Sequence, residues 1–403
     1  LKKIVIHKFK SFESDQEFEL DDDVTILVGM NESGKTSVLE SIAKTNYFQD
    51  DEQFKFSLTH DFPRREKKKV EKSGENPKAI TCTYEISEEL LEEISEDIGE
   101  NVFQTKEFSV TTRYDNKQIT FGGISADTKK FIEQKTKEFN ISSNATNKKL
   151  EKIKSLAEFE ELAGTFKDDS YVTAFNELKK YFEFVWKFTN PIEEYVTRKY
   201  LDTNLPKFLY YDEYYSLPSR ISIQKLESSQ LDENEYKTAK ALFELADINT
   251  TELLESTNFE DFIAELEATE AIISEELFKY WKTNRNIQIS FRIDKVEKTD
   301  SRNNKRIVEH ILDIRVKGKR VSLPLRNRSK GFNWFFSFLV WFKKIQEDEN
   351  SNYILLLDEP GLNLHASAQA DLMRFLEDLS EDYQIIYTTH SPFMISSENL
   401  NRV

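Results

Sequence analysis

Cysteine is almost missing from this chain: Cys82 is the only one in 403 residues. One thiol excludes a disulfide within the chain, a cysteine-rich zinc site and a Cys-x-x-Cys zinc hook. Long apolar runs are missing as well. The longest candidate, Phe332 to Phe342, is shorter than the roughly 18 residues of a membrane span and is interrupted by Asn333 and Ser337. No apolar segment follows Lys2 and Lys3, so no signal-peptide pattern opens the chain. With a mean hydropathy of -0.61, the expectation is a soluble protein of a reducing cytoplasm with no membrane partner. A basic surplus is lacking too. Against 73 acidic residues stand 56 Lys and Arg, for a net charge of -17. Such a surface repels a polyanion as a whole but leaves room for a local basic patch. Arg302 to Lys330 carries ten basic residues against two acidic. It reads equally as a solvated strand pair and as an anion-contacting surface, and Lys129 to Lys154 is a second candidate.

What is present alternates between two kinds of pattern. Lys2 to Phe12, Glu17 to Leu20 and Asp21 to Gly29 read as strands, and Lys35 to Thr45 as a helix. Lys78 to Ser87 and Glu107 to Phe121 add strands, expected to be antiparallel. From about Ser125 apolar residues recur at helical spacing among many Lys and Glu. Pro206 to Tyr214 is strand-like, and two further helices follow. Asn286 to Ile293 and His310 to Leu323 return to alternation, with Lys317-Gly318-Lys319 as a hairpin turn. An apolar helix (Lys330 to Gln346), a buried strand (Tyr353 to Glu359), a helix (Ala366 to Ser380) and a buried strand (Tyr383 to Thr389) close the pattern. The fold class expected is α/β. Two α/β segments, 1–125 and 284–403, enclose a mainly helical insertion, 126–283. There is no internal repeat, and the insertion has too few heptads for a long coiled coil.

Three motifs carry chemistry. Gly29-Met30-Asn31-Glu32-Ser33-Gly34-Lys35-Thr36 fits G-x-x-x-x-G-K-[ST], after a strand and before a helix. Glycines let the backbone curl so that successive N–H groups face phosphate oxygens, and the helix N-terminus adds its positive end. In this reading Gly29, Asn31, Glu32, Ser33, Gly34, Lys35, Thr36 and Ser37 bind the nucleotide. Lys35 reaches the β- and γ-phosphates and Thr36 ligates Mg²⁺. A bare strand-to-helix turn would explain the glycines but not Lys35-Thr36. Ile354 to Leu357 is an aliphatic run ending in Asp358-Glu359. A buried strand delivers such a pair to its carboxyl edge, where α/β folds place ligands. Asp358 is the expected Mg²⁺ holder, and Glu359 the group that orients or deprotonates the attacking water. His390 ends the last strand, with one helix separating it from Asp358-Glu359. It is expected on the same edge, near the γ-phosphate, rather than as an ordinary polar loop residue. Ser329 and Gly331 precede an apolar helix and form a further candidate anion contact.

Together these stretches resemble an ATP-binding-cassette ATPase of the RecF/SMC-like kind. Within it they resemble the ATPase module of the overcoming-lysogenization-defect (OLD) family of ATP-dependent endonucleases. The stretches Ile6 to Ile42, Ile354 to Leu372 and Thr388 to Ile395 carry the likeness, supported by His60 to Arg65 and Pro206 to Tyr214. The resemblance implies an ABC-type P-loop head with a mixed sheet that dimerises on ATP, or is held as a dimer or higher even oligomer by the insertion. Ser329 and Gly331 stand where the family has its signature motif, though its Leu and Gln are absent, and they would meet the ATP of the other subunit. The loop Gly361 to His365 would cross that interface. No clear Q-loop glutamine is found, and Asp61 is taken as its nearest equivalent on the metal side. The implied function is ATP hydrolysis that regulates a DNA- or RNA-directed nuclease effector in anti-phage defence. Such proteins continue into a Toprim nuclease. No such pattern follows His390 here, so the effector is expected outside this stretch or in a separate protein. The other reading is an ATP-gated DNA-repair or structural clamp without a nuclease.

Overall fold

The computed structural model describes residues 1–117, 119–186, 188–212, 217–231, 233–255, 260–280, 288–299, 306–318, 321–346 and 352–403. The strands are β1 (Lys3–Ile6), β2 (Gln16–Glu19), β3 (Val24–Val28), β4 (Lys78–Glu85), β5 (Glu107–Arg113), β6 (Ile119–Gly122), β7 (Lys207–Tyr211), β8 (Arg220–Ser222), β9 (Gln288–Thr299), β10 (Arg306–Lys317), β11 (Ser322–Pro324), β12 (Tyr353–Leu357) and β13 (Ile385–Thr389). The chain divides into two compact units. One comprises Leu1–Asp22 and Ser41–Lys207, the other Asp23–Glu40 and Phe208–Val403. One boundary falls inside the stretch read from sequence as a single helical insertion, 126–283. The reason is β7, which joins the sheet of the second unit.

In the first unit a five-stranded sheet runs β2-β1-β4-β5-β6, antiparallel throughout. Alternation along the strands decides which side chains go inside. Register pairs Ile4 with Cys82, and Cys82 with Val110. All three are buried. Burial pushes the Cys82 thiol up to about 12, which leaves it inert at neutral pH. The helices after Ser125 start where a side chain can take up a free amide. Asp127, Ser143, Ser155, Asp168 and Asn190 each accept from a backbone N–H of the first turn. The helical spacing between Asn144 and Gly164 is divided between two helices, Asn144–Leu150 and Leu156–Gly164, with Ser155 capping the second.

Aromatic rings fill the core of these helices. Phe159 stacks on Phe182 at 5.0 Å, and Phe131 meets Tyr181 edge-on at 4.8 Å. Beside them lies the Asp97 carboxylate. It accepts from Tyr181 (2.8 Å), Tyr195 (2.6 Å), Tyr200 (2.7 Å) and Lys199 (2.8 Å). Burial alone would raise the carboxyl, but these four donors outweigh it and hold Asp97 well below the usual carboxylate range.

The second unit holds a four-stranded sheet ordered β3-β13-β12-β7, in which β3, β13 and β12 are parallel. Leu355 to Leu357 and Ile385 to Thr389 are buried at every position, as expected for parallel strands covered on both faces. Helix α1 (Lys35–Ala43) follows β3, α2 (Lys330–Gln346) precedes β12, and α3 (Ala366–Leu379) joins β12 to β13. Helix α2 is apolar nearly all round and buried to match, from Phe332 to Phe342. Its Trp334 and Phe338 pack edge-on against Tyr211 of β7 at 5.4 and 5.2 Å. Phe335 meets Phe375 of α3 at 5.1 Å. Ser337, inside this helix, accepts the Leu217 N–H at 2.7 Å and donates to the Asn333 carbonyl, so its hydroxyl is satisfied. A second sheet of this unit is antiparallel: β9 pairs with β10 along its length, and β8 and β11 pair with shorter parts of β10. Gly318 N–H donates to Val321 O where the expected hairpin turns, and Lys319 lies outside the described residues. No described helix is long and apolar enough to cross a membrane.

Candidate nucleotide site

Parallel strands send their carboxyl ends to one edge. Val28 lies opposite Thr389, and Leu357 opposite Tyr387. The residues that leave these strands are Gly29, Asp358 and His390. The loop Gly29–Gly34 then turns into α1. The turn needs left-handed backbone at Glu32 (φ 62°) and Gly34 (φ 96°), and only glycine takes the second without strain. Asn31, Glu32 and Ser33 are exposed, Ser37 is half-buried, and Val38 N–H closes the first helical turn on Gly34 O.

The side chains of the three motifs meet at this edge. Thr36 Oγ1 donates to Asp358 Oδ1 at 3.2 Å. Lys35 Nζ donates to the carbonyls of Gly29 (2.9 Å) and Met30 (3.1 Å), and lies 3.6 Å from Glu359 Oε1. His390 reaches the other oxygen: Nδ1 is 3.0 Å from Glu359 Oε2, and the His390 N–H donates to the same atom at 3.3 Å. Glu359 itself has φ 49°, a left-handed conformation that costs a non-glycine residue energy and recurs at functional sites. Thr36 and Asp358 offer the hard oxygens that Mg²⁺ takes, and a nucleotide-borne Mg²⁺ needs only one or two of them from the protein.

Two residues of this cluster carry no motif of their own. Thr388 Oγ1 accepts the Glu359 N–H at 2.8 Å and donates to Asp358 Oδ1 at 2.5 Å. One hydroxyl thus fixes both members of the acidic pair. Tyr210 donates to Asp358 Oδ2 at 3.2 Å. Burial, then the Asp358 charge, pushes its phenol far up, so it stays a donor. Thr388 could have been picked out from its place two residues before His390 on a buried strand. Tyr210 had no local signal.

Beside Glu359 and His390 lies a cavity of about 280 Å³, also lined by Leu362, Gln369, Thr389 and Phe393. Gln369 is buried, donates to Gly361 O at 2.7 Å and accepts from Ser391 Oγ at 2.9 Å. It ties the loop after Glu359 to the loop after His390. Ser329 caps α2 by accepting the Phe332 N–H at 3.2 Å. Gly331 lies against the loop Gly361–His365, where a Cβ would come within 2.0 Å of Leu364 Cδ2. Ser329 and Gly331 therefore sit beside that loop. Asp61, expected on the metal side, lies in the other compact unit. Its buried carboxylate is 3.1 Å from Lys44 Nζ and accepts the Ser57 N–H at 2.9 Å. These contacts give the Asp61 carboxylate a structural task.

The strand-loop-helix with Lys35-Thr36, facing a strand that ends in Asp358-Glu359, makes this a mixed α/β P-loop protein. Residues 1–395 match the model of the AAA ATPase domain, and the chain belongs to that family. Over 136 residues it is 35% identical to the uncharacterized protein MJECL43 of Methanocaldococcus jannaschii, a stretch covering 32% of this chain and 32% of that protein. The chain thus spans about a third of the length of the curated relative it matches. Among solved structures it is similar to an Smc head bound to the C-winged helix domain of ScpA (11% identity, TM-score 0.42). It is also similar to the SMC head domain from Thermotoga maritima (13%, TM-score 0.37). Each comparison covers 98% of this chain and 90% of the other.

Proposed function

We propose that this domain binds ATP with Mg²⁺ and hydrolyses it at the edge where β3, β12 and β13 end. The observation that carries the reading is the meeting of residues 322 positions apart: Thr36 bonded to Asp358, with Glu359 held between Lys35 and His390. The amides of Gly29 to Thr36 and the Lys35 ammonium bind the phosphates. Mg²⁺ held by Thr36 and Asp358 would neutralise phosphate charge. Glu359 takes a proton from the attacking water, and His390 fixes its carboxylate by two contacts to one oxygen. On this reading the domain is an ABC-type head of the OLD kind that works as a homodimer or higher even oligomer. Ser329 and Gly331 serve the site of the other subunit, and turnover controls a nuclease effector directed at nucleic acid in anti-phage defence. Glu359→Gln tests the chemistry. ATP turnover should fall at least about a hundredfold while nucleotide binding persists, since general acid–base groups contribute on that scale. A turnover equal to wild type would remove Glu359 from the mechanism.

A further inference from the structure

The helix Arg64–Ser73 is the most basic element of an acidic chain. In ten residues it carries Arg64, Arg65, Lys67, Lys68, Lys69 and Lys72, against Glu66 and Glu71. Both acids are already answered. Glu66 pairs with Lys8 at 2.7 Å and Glu71 with Lys67 at 3.5 Å. Arg65 faces Glu13 at 3.7 Å. Arg64, Lys68, Lys69 and Lys72 are exposed and have no ion pair among the described residues. Arg64, Lys68 and Lys72 recur every four residues, so they stand in one row about 6 Å apart along the axis. The row is firmly mounted. Val70 is buried on the opposite side, Phe62 meets Tyr114 edge-on at 5.2 Å just before the helix, and Tyr114 donates to Lys8 O at 2.6 Å.

We propose that the exposed face of Arg64–Ser73 is a contact surface for the phosphate backbone of duplex nucleic acid. This rests on the reading of a nucleic-acid-directed ATPase and gives that reading a place. A rigid row of cations on a surface of net charge -17 has charge complementarity with a polyanion and with little else of the chain itself. The chemistry favours a duplex over the other polyanions. A single strand is gripped by stacking on aromatic rings, and this helix exposes none. A membrane surface takes an amphipathic helix by its apolar face, and the one apolar residue here, Val70, is turned into the protein. In each of the basic stretches named from sequence one cation is already engaged. In the described part of Arg302 to Lys330, Arg315 is spent on Asp313 (2.9 Å) and Ser322. In Lys129 to Lys154, Lys135 is buried against Glu138 at 2.8 Å.

The test compares the wild-type chain with Arg64→Gln/Lys68→Gln/Lys72→Gln and with Lys129→Gln/Lys148→Gln/Lys149→Gln. Binding of a labelled 30-base-pair DNA duplex is followed by anisotropy from low to moderate salt. Each phosphate that is no longer neutralised should lower the slope of log K against log salt by about 0.9. The first triple variant should therefore lose about 2 to 3 in slope and at least about tenfold in affinity, with ATP turnover unchanged. The second should bind as wild type. A wild type that binds DNA while the first variant keeps the full slope overturns the helix assignment and leaves the functional reading standing. A wild type that binds no duplex, or binds only anionic phospholipid vesicles, overturns both.

Discussion

Thr388 is held between the Glu359 amide and the Asp358 carboxylate, accepting from the first and donating to the second. The pair needs such a brace. Glu359 sits in left-handed backbone, which costs a non-glycine residue energy. Thr388→Val keeps the shape of the buried strand and removes the hydroxyl. Asp358 then loses a donor and the Glu359 amide its acceptor. We expect kcat to fall about tenfold, with KM for ATP changed much less, because the phosphate-binding loop is untouched. Thr388→Ser should restore most of the rate. A Val variant with full kcat would show that the hydroxyl positions nothing. The sequence marks Lys35, Asp358, Glu359 and His390 because each closes a strand or opens a helix within its own short motif. Thr388 and Tyr210 act only through neighbours that the fold brings to them.

At the scale of elements, legibility follows the same line. β3, β12 and β13 were plain, being short apolar runs that end at a glycine, an acidic pair and a histidine. The helix Arg64–Ser73 was not, since one buried valine makes no period. The Asp97 cluster was hidden for another reason. Its donors come from positions 181, 195, 199 and 200, and no local pattern links them to the end of the helix Glu88–Ile98. That cluster makes a pH prediction. The folded carboxyl lies below its ordinary value, so the unfolded chain binds the extra proton first. Its stabilisation is complete above the unfolded pKa, near 4, and drains away as pH falls below that. Asp97→Asn should be less stable at pH 7 by about 2 kcal/mol, in the range of hydrogen bonds to a charged group. The gap should narrow between pH 5 and about 3 in urea melts. A gap that stayed constant with pH would mean that the charge at Asp97 contributes nothing.

At the scale of the molecule, the chain order and the order in space part company. The phosphate loop belongs with residues 208–403, although the sequence puts it near the start. Contiguous reading set the boundaries at 125 and 284. The contacts place Asp23–Glu40 with the C-terminal half instead, because β3 can complete its hydrogen bonds only beside β13. If two such sites are completed by two chains, activity belongs to the dimer, and that can be measured by mixing. Lys35→Ala removes a chain's own phosphate grip. Ser329→Arg leaves that grip intact and spoils what the chain offers its partner. Each variant alone should be nearly inactive. In an equal mixture half the dimers are mixed, and each has one intact site, formed by Lys35 of the Ser329 variant and Ser329 of the Lys35 variant. Turnover per chain should then return to about a quarter of wild type. If the Ser329 variant alone is fully active, Ser329 serves no second site. If both variants are dead and stay dead when mixed, the sites are not shared between chains. In either case the role of α2 reduces to the packing that Gly331 makes against Leu364.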